Sequence, residues 1–217
     1  MRKIIILCGC IMLSAIHLYG QTASQHNNET LLEGGVKADA TFFNFQKADA
    51  PNAESILTPG LTLGGFMDIW FKERIGIRPE LNLNFKRTVF GWKDNSGQML
   101  SFGIEVPIYV VTRFELFGKH CILVGLGPYT EFSCYARWMI DGRNVDLLKI
   151  HEEGAPMIQD TQSGFGVVFG YEFGNGIGIE ASYKLCYYNI LQPNTSQGVS
   201  LYPQSISIGL TCKIKNK

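Results

Sequence analysis

The sequence predicts an all-β fold: an eight-stranded antiparallel up-and-down transmembrane β-barrel with short periplasmic turns and long outer loops. Three observations predict it. Apolar and polar residues alternate along eight segments, each close to the roughly nine to eleven residues that a tilted strand needs to cross a bilayer. Charged residues of these segments fall on one face, and long and short connections alternate along the chain. This asymmetry is typical of membrane barrels.

The first 20 residues are expected to be removed before folding. Arg2 and Lys3 precede the apolar run Ile4–Leu18, and the small residue Gly20 stands before Gln21. This is the pattern of a secretory signal peptide cleaved near Gly20-Gln21. An apolar sequence continues past its early cysteines, so lipidation there is not expected.

Residues 21–33 are polar and predicted to form a flexible periplasmic leader, and residues 34–217 to form the barrel domain. The full chain has 19 basic and 19 acidic residues, so loss of two basic residues with the signal leaves a net charge of about −2. A nucleic-acid partner is therefore not expected.

The remaining cysteines form no CxxC pair, which argues against a zinc site, and one disulfide stays open as an alternative. They are Cys121, Cys134, Cys186 and Cys212.

The clearest strand is Ile75–Lys86, in which Ile, Leu and Phe alternate with Arg, Glu, Asn and Lys. Period-two alternation places the two sets on opposite faces of a strand. Seven further segments show the same period. They are Val36–Phe45, Leu61–Phe71, Leu100–Val110, Ile122–Phe132, Phe165–Phe173, Ile177–Tyr187 and Ile206–Ile214.

The connections between these strands set the orientation. With the N-terminus in the periplasm, the short links fall on the periplasmic side and the long segments outside. Asp94–Gly97 carries turn residues within one long segment, and Gly174–Gly176 is predicted to be a tight turn. The long segments are residues 46–59, 88–98, 133–163 and 190–203.

The charged face is predicted to line the lumen, where opposite charges pair in a packed structural network without a pore. Isolated charges in a dry core cost several kcal/mol each, whereas a lipid-facing charge at mid-bilayer costs about 2–4 kcal/mol. Inward glycines interleave with aromatic residues to fill the taper. The predicted network comprises Asp68, Arg78, Glu80, Glu105, Glu131, Glu172, Glu180 and Lys184, with Lys37, Asp39, Lys86 and Lys213 on the same face.

Aromatic residues near strand ends suit interfacial girdles, with loop packing as the alternative. They are Phe42, Phe43, Phe71, Phe90, Trp92, Phe132, Tyr135, Trp138, Tyr187 and Tyr202. Pro79, Pro107 and Pro128 lie inside predicted strands, where each removes a ladder donor, and β-bulges would accommodate them.

Three of these strand segments, Arg78–Leu81 (RPEL), Glu105–Ile108 (EVPI) and Gly127–Tyr129 (GPY), resemble recurrent strand patterns of the PorT-like, porin-family outer-membrane β-barrel domain common in Bacteroidetes. The resemblance covers nearly the whole mature chain and implies a barrel of the bacterial outer membrane, often of unassigned role. Many such barrels end in an aromatic residue read by the assembly machinery, whereas this chain ends in Lys217.

The sequence gives little support for catalysis, and no catalytic residue, cofactor or metal is expected. His120 lies at a predicted periplasmic turn and His151 in the longest outer segment, each without the convergent partners of a hydrolase triad. Gly174–Gly178 matches part of a dinucleotide fingerprint but no helix follows it. The expected function is that of a non-enzymatic, monomeric structural or interaction protein of the cell envelope, with residues 133–163 as its partner surface. A small-solute porin and a lipid-modifying enzyme using His151 or His120 are the alternatives.

Overall fold

The computed structural model describes residues 31–48, 53–71, 74–92, 95–117, 119–140, 142–149, 157–191 and 200–214. The predicted signal peptide lies outside the described residues, as does the leader apart from its last three positions. His151 and the turn centre at residues 93–94 also lie outside them.

The described residues form ten strands, and eight of them close into an antiparallel barrel. Their order around the ring is β1, β3, β4, β5, β6, β8, β9 and β10, with β10 paired back to β1. The two short strands β2 and β7 extend the wall by pairing with β4 and β6. The predicted fold is therefore confirmed. The strands are β1 Leu31–Ala48, β2 Ala53–Ile56, β3 Thr58–Trp70, β4 Ile75–Trp92, β5 Asn95–Glu115, β6 Cys121–Ile140, β7 Arg143–Asp146, β8 Thr161–Glu172, β9 Ile177–Cys186 and β10 Ser200–Ile214.

Every predicted strand lies within one of these elements or overruns it by one residue. Among the described residues, no helix is long and apolar enough to cross a membrane. The predicted tight turn at Gly174–Gly176 is present: the backbone N–H of Gly176, which has a φ of 89°, donates to the Phe173 carbonyl at 3.0 Å. Positive φ is a conformation that glycine adopts without steric cost.

Strand alternation sorts the side chains as their sequence period predicts. Leu126, Phe165 and Leu210 face outward and are 62%, 61% and 59% exposed. Glu80 and Asp68 face inward and are 0% exposed. The outer wall is thus apolar and uncovered, while the interior holds the charges.

The predicted long loops are shorter in the structure, because the strands continue into them. Thr88–Trp92 and Asn95–Gln98, expected to be a loop, form the ends of β4 and β5 and pair with each other. Residues 133–140 continue β6, Arg143–Asp146 fold back on it as β7, and Thr161 begins β8. Hairpin pairing satisfies backbone groups that an irregular loop would leave to water.

The wall has a register shift between Phe102 and Gly103, where Cys134 is the extra residue of β6. The three strand prolines do not mark bulges, since the register is the same on both sides of Pro79, Pro107 and Pro128. The expectation of bulges at proline is therefore wrong here.

Candidate functional site

The centre of the lumen is organised by Arg78 on β4. Its guanidinium donates to both carboxylate oxygens of Asp68, at 2.5 and 2.9 Å, and to Glu180 at 2.8 Å. The ring of Phe66 packs under the guanidinium, with the ring centroid 4.5 Å from Arg78 Cζ. Because β4 and β9 lie on opposite sides of the ring, the Arg78–Glu180 ion pair spans the lumen. Bidentate pairing of this kind fixes geometry as well as charge.

A second cation, Lys37 on β1, joins this centre to neighbouring strands. Its ammonium forms ion pairs with Glu180, with Glu80 at 3.3 Å and with Asp39 at 3.3 Å. All four side chains are at most 4% exposed. The side-chain amide of Asn82 donates to Glu80 at 3.0 Å and to Glu105 at 3.1 Å, and so extends the network toward β5.

Nearer the loop side, two lysines hold two carboxylates. Lys184 on β9 pairs with Glu105, and Lys86 on β4 pairs with Glu131, which also accepts from Asn84 at 3.0 Å. A short chain of hydroxyls follows: Thr62 donates to Asn84 at 2.7 Å and lies 2.7 Å from the Thr41 hydroxyl. The two lysine pairs connect strands that do not adjoin in the wall, β9 with β5 and β4 with β6, so these side chains brace the barrel from within.

Seven of the eight predicted site residues lie in this network: Asp68, Arg78, Glu80, Glu105, Glu131, Glu180 and Lys184. The eighth, Glu172, lies at the short-turn mouth, where its carboxylate is 2.5 Å from Lys213, and Lys213 in turn lies 3.7 Å from Asp68. The predicted set left out the amides and hydroxyls that complete the network. Their signal was available, because Asn82 and Asn84 share the strand face of Arg78 and Glu80.

Carboxylates outnumber cations in the buried part of this network. Six buried carboxylates meet four buried cations, and Glu80 Oε1 and Asp39 Oδ1 have no hydrogen-bond partner among the described residues. The other oxygen of each of these two carboxylates is held by Lys37 at 3.3 Å. Across the described residues, no group of three or more His, Cys, Asp or Glu side chains is arranged to hold a metal ion.

An apolar cluster that the sequence did not predict fills the lumen at the loop side. Leu147 and Ile158 from the segment before β8, and Ile190 and Leu191 from the segment after β9, turn into the mouth of the barrel. Backbone hydrogen bonds hold them there, including Ile190 N–H to the Leu201 carbonyl at 3.0 Å. These segments have no strand period, so the sequence did not indicate that they fold inward. We call this cluster the apolar cap. Its buried members are Phe43, Phe45, Met99, Ala136, Leu147, Ile158, Cys186, Ile190, Leu191 and Leu201.

The cap corrects part of the girdle prediction. Phe43 faces inward and is 3% exposed, and the Lys86 ammonium lies 5.0 Å from the centre of its ring. Trp138 packs against the cap rather than outward. Tyr188 also packs there: its hydroxyl donates to the Thr161 carbonyl at 2.5 Å, and burial raises its pKa. Phe71, Tyr135 and Tyr187 face outward as expected.

At the short-turn end, an apolar layer and a charged cleft follow the central network. Trp70, Tyr109, Val111, Leu123 and Val168 form the layer. Below it, a cleft of about 310 Å³ is lined by Glu33, Arg113, Glu115, Lys119, His120, Cys121, Glu172 and Lys213.

His120, one of the two histidines of the enzyme alternative, lines that cleft. His120 stacks on Tyr171, with ring centroids 5.9 Å apart, and its Nδ1 has no partner among the described residues. The Cys121 thiol contacts Glu172 at 3.5 Å rather than the imidazole. The four described cysteines are free thiols, so the structure contains no disulfide among them.

Comparison with known proteins adds a set of remote structural neighbours. No protein-family model and no curated protein matches the chain. Neisserial surface protein A is 14% identical, over 83% of this chain and 97% of its own, with a TM-score of 0.44. The outer membrane protein OprG from Pseudomonas aeruginosa is 8% identical over 87% and 99%, with a TM-score of 0.47. The outer membrane enzyme PagL is 10% identical over 81% and 99%, with a TM-score of 0.43.

At such low identities and TM-scores, these neighbours give no information about the role of this chain. The assignment of the fold rests instead on the strand pairing described above, which closes β10 onto β1 through 15 residue pairs.

Proposed function

We propose that this chain is a monomeric barrel of the bacterial outer membrane, of the PorT-like type, which serves the cell envelope as a stable structural or interaction protein. It has no enzymatic role in this proposal. A signal peptide cleaved near Gly20-Gln21 would deliver it to the periplasm, which N-terminal sequencing of the mature protein tests directly.

The observation that carries the proposal is the separation of charge and apolar surface across one wall. Leu126, Phe165 and Val110 are more than half exposed on the outside, while Arg78 and Glu80 are at most 3% exposed within. In water, an uncovered apolar belt of this extent would favour aggregation. In a bilayer it is the surface that lipid solvates.

The height of the apolar belt supports the same proposal. On β4 the outward apolar residues run from Ile75 to Phe85. Ten steps of about 3.3 Å, tilted by about 40°, span about 25 Å, which is the usual height of the apolar band of such barrels. A belt of this height matches the hydrocarbon layer of a bilayer, which supports a barrel whose outer wall is covered by lipid.

Two features favour a structural role over solute transport. Ion pairs from opposite walls cross the centre of the lumen, and the apolar cap fills the loop-side mouth. A barrel of eight strands is only wide enough for its own side chains. A protein partner is proposed to bind the outer segment 133–163, of which Arg143, Asn144 and Lys149 remain exposed beside the cap.

The first test of the proposal is membrane fractionation, followed by comparison of heated and unheated samples on a denaturing gel. We expect an outer-membrane band that migrates differently after boiling, because a closed barrel keeps its backbone hydrogen bonds in detergent. A soluble periplasmic protein with no heat shift would overturn the proposal.

Conductance measurements separate the proposed role from a porin. The purified barrel in a planar bilayer is expected to give no resolved single-channel current. Steady current steps would instead show a small-solute porin. Turnover of a lipid substrate that is lost in His120→Ala or His151→Ala would show the enzyme alternative.

A further inference from the structure

Two arginines stand out on the otherwise uncharged outer face of the barrel. Among the described side chains, Arg87 and Arg137 are the charged residues on the outward face of the eight barrel strands, and both are exposed. They lie beyond the predicted strand ends, so the sequence pattern did not place them on this face. Since a charge facing lipid is unfavourable except near the interface, their position calls for an explanation.

The strand register brings these arginines into one row. Arg87 on β4 is paired with Leu100 on β5, and Leu100 is paired with Arg137 on β6. Two strand spacings separate the arginines, which is about 10 Å between backbones. Leu100 between them is half-buried, so both guanidinium groups can reach over it toward one anion.

An aromatic row lies directly on the membrane side of this arginine row. Phe85 is paired with Phe102, and Phe102 with Tyr135. The rings of Phe85 and Phe102 are 4.8 Å apart, and the Arg137 guanidinium lies 5.1 Å over the Tyr135 ring. Guanidinium groups stacked on aromatic faces in this way are held in place while their edges stay free to bind an anion.

The two rows border a groove of about 490 Å³ that opens on the outer wall. Its lining includes Leu61, Phe85, Arg87, Leu100, Phe102 and Tyr135. A groove of this size is within the range of small-molecule binding sites. It is apolar along its length and basic at one end, which is the polarity of an acyl chain with an anionic headgroup.

In the described part of the chain, no counterion accounts for the position of the two arginines. No ion pair within 4 Å joins Arg87 or Arg137 to a carboxylate among the described residues. Asp146 lies opposite Arg137 on β7, and its carboxylate accepts the Leu148 N–H at 3.1 Å. As far as the described residues go, both guanidinium groups are therefore open to an external anion.

We propose that this groove binds an anionic phosphorylated lipid of the loop-side leaflet, with an acyl chain against Phe85 and Phe102 and its phosphate between Arg87 and Arg137. The inference rests on the proposed membrane location. Arginine pairs phosphate bidentately and with strong geometric preference. Two arginines side by side therefore select a lipid whose phosphate leaves the headgroup with a net negative charge over a zwitterionic lipid, whose phosphate is offset by its own cation.

Native mass spectrometry of the full mature barrel in detergent tests this inference. The probes are bis-phosphorylated lipid A and phosphatidylcholine, each titrated against the wild type and against the double variant Arg87→Gln/Arg137→Gln. Arg143→Gln/Lys149→Gln is the matched control, because it removes two exposed cations on the same side outside the groove. A heat-shift gel on each variant shows that the barrel is folded.

We expect the wild type and the control to retain one lipid A, and the groove double variant to bind it about tenfold more weakly, with phosphatidylcholine retained weakly by all. Equal binding of lipid A and phosphatidylcholine, or equal losses in the two double variants, would overturn the site. Such a result would leave the membrane location intact. Failure of the wild type to shift on heating and to float with vesicles would overturn the membrane location, and the lipid site with it.

Discussion

Glu105 on β5 and Glu131 on β6 are direct cross-strand partners that both point into the lumen, and each is paired with a lysine from a different strand. Adjacent like charges in a sheet are destabilising unless they are compensated. Lys184 reaches Glu105 from β9, and Lys86 reaches Glu131 from β4. The two carboxylates therefore tie four strands together only while both lysines are present.

A double-mutant cycle on Lys86 and Glu131 tests this dependence. Lys86→Met is expected to lower the free energy of unfolding by about 3–5 kcal/mol, because it leaves Glu131 buried beside Glu105 without a cation. Glu131→Gln is expected to cost less, since it removes the repulsion with Glu105. The double variant should recover most of the Lys86→Met loss. Denaturant unfolding from vesicles measures each term.

The control for this cycle is Arg143→Met, which removes an exposed cation outside the network. A surface change of this kind should stay within about 0.5 kcal/mol. Additive effects of Lys86→Met and Glu131→Gln would show that the pair is not coupled, contrary to the structure.

Arginine on the outer wall is expected to reveal the depth of each position in the bilayer. Leu126→Arg, near the middle of the apolar belt, should lower the free energy of unfolding by about 2–4 kcal/mol. Leu83 lies one row from the aromatic row of Phe85, so Leu83→Arg should lower the free energy of unfolding by less. Glu80→Gln should leave insertion into vesicles unimpaired. Folded yield in vesicles compares all three. Equal yields would contradict the assignment of faces.

Glycine packing in the wall gives a third prediction. A Cβ at Gly127 would lie 2.0 Å from the Ile108 carbonyl oxygen, which is backbone and cannot turn aside. Gly127→Ala should therefore cost about 1–3 kcal/mol in unfolding free energy. At Gly170 the nearest atom is Leu123 Cβ at 3.5 Å, an ordinary contact. Gly170→Ala should be neutral or stabilising by about 0.5 kcal/mol. A comparable loss of stability at both sites would contradict the difference in packing between Gly127 and Gly170.

The apolar cap should contribute to stability independently of the charges. Ile190 is 1% exposed within it, and Ile190→Ala should lower the free energy of unfolding by about 2–5 kcal/mol. Ile208, 52% exposed on the outer wall, is the matched control and should lose less when changed to Ala. Hydrogen exchange near the Ile190–Leu201 hydrogen bond should quicken in the first variant alone.

Strand faces were predictable from sequence because side-chain period alone sets them. Arg78, Glu80 and Glu180 lie inward, as their parity indicates. Phe43 shares the parity of Lys37 and Asp39, so its inward position could have been read from the same signal.

Contacts across the lumen were not predictable in this way. Arg78 and Glu180 are 102 residues apart, and their meeting depends on the number of strands and the stagger that closes the ring. The cap depends on segments without periodicity. The row of Arg87 and Arg137 depends on extensions of the strands, which the turn residues nearby did not indicate. Local pattern sets which face a residue takes, whereas closure sets which residues meet.

The Arg78–Glu180 pair has a consequence for assembly. A two-residue slip of β4 against its neighbours would preserve every inward and outward assignment of that strand, so the lipid could not distinguish it from the native barrel. It would, however, move the Arg78 guanidinium about 7 Å along the strand from its partners. The charges in the lumen therefore select the stagger of the wall at β4, because they stabilise one alignment among several that membrane solvation alone would tolerate.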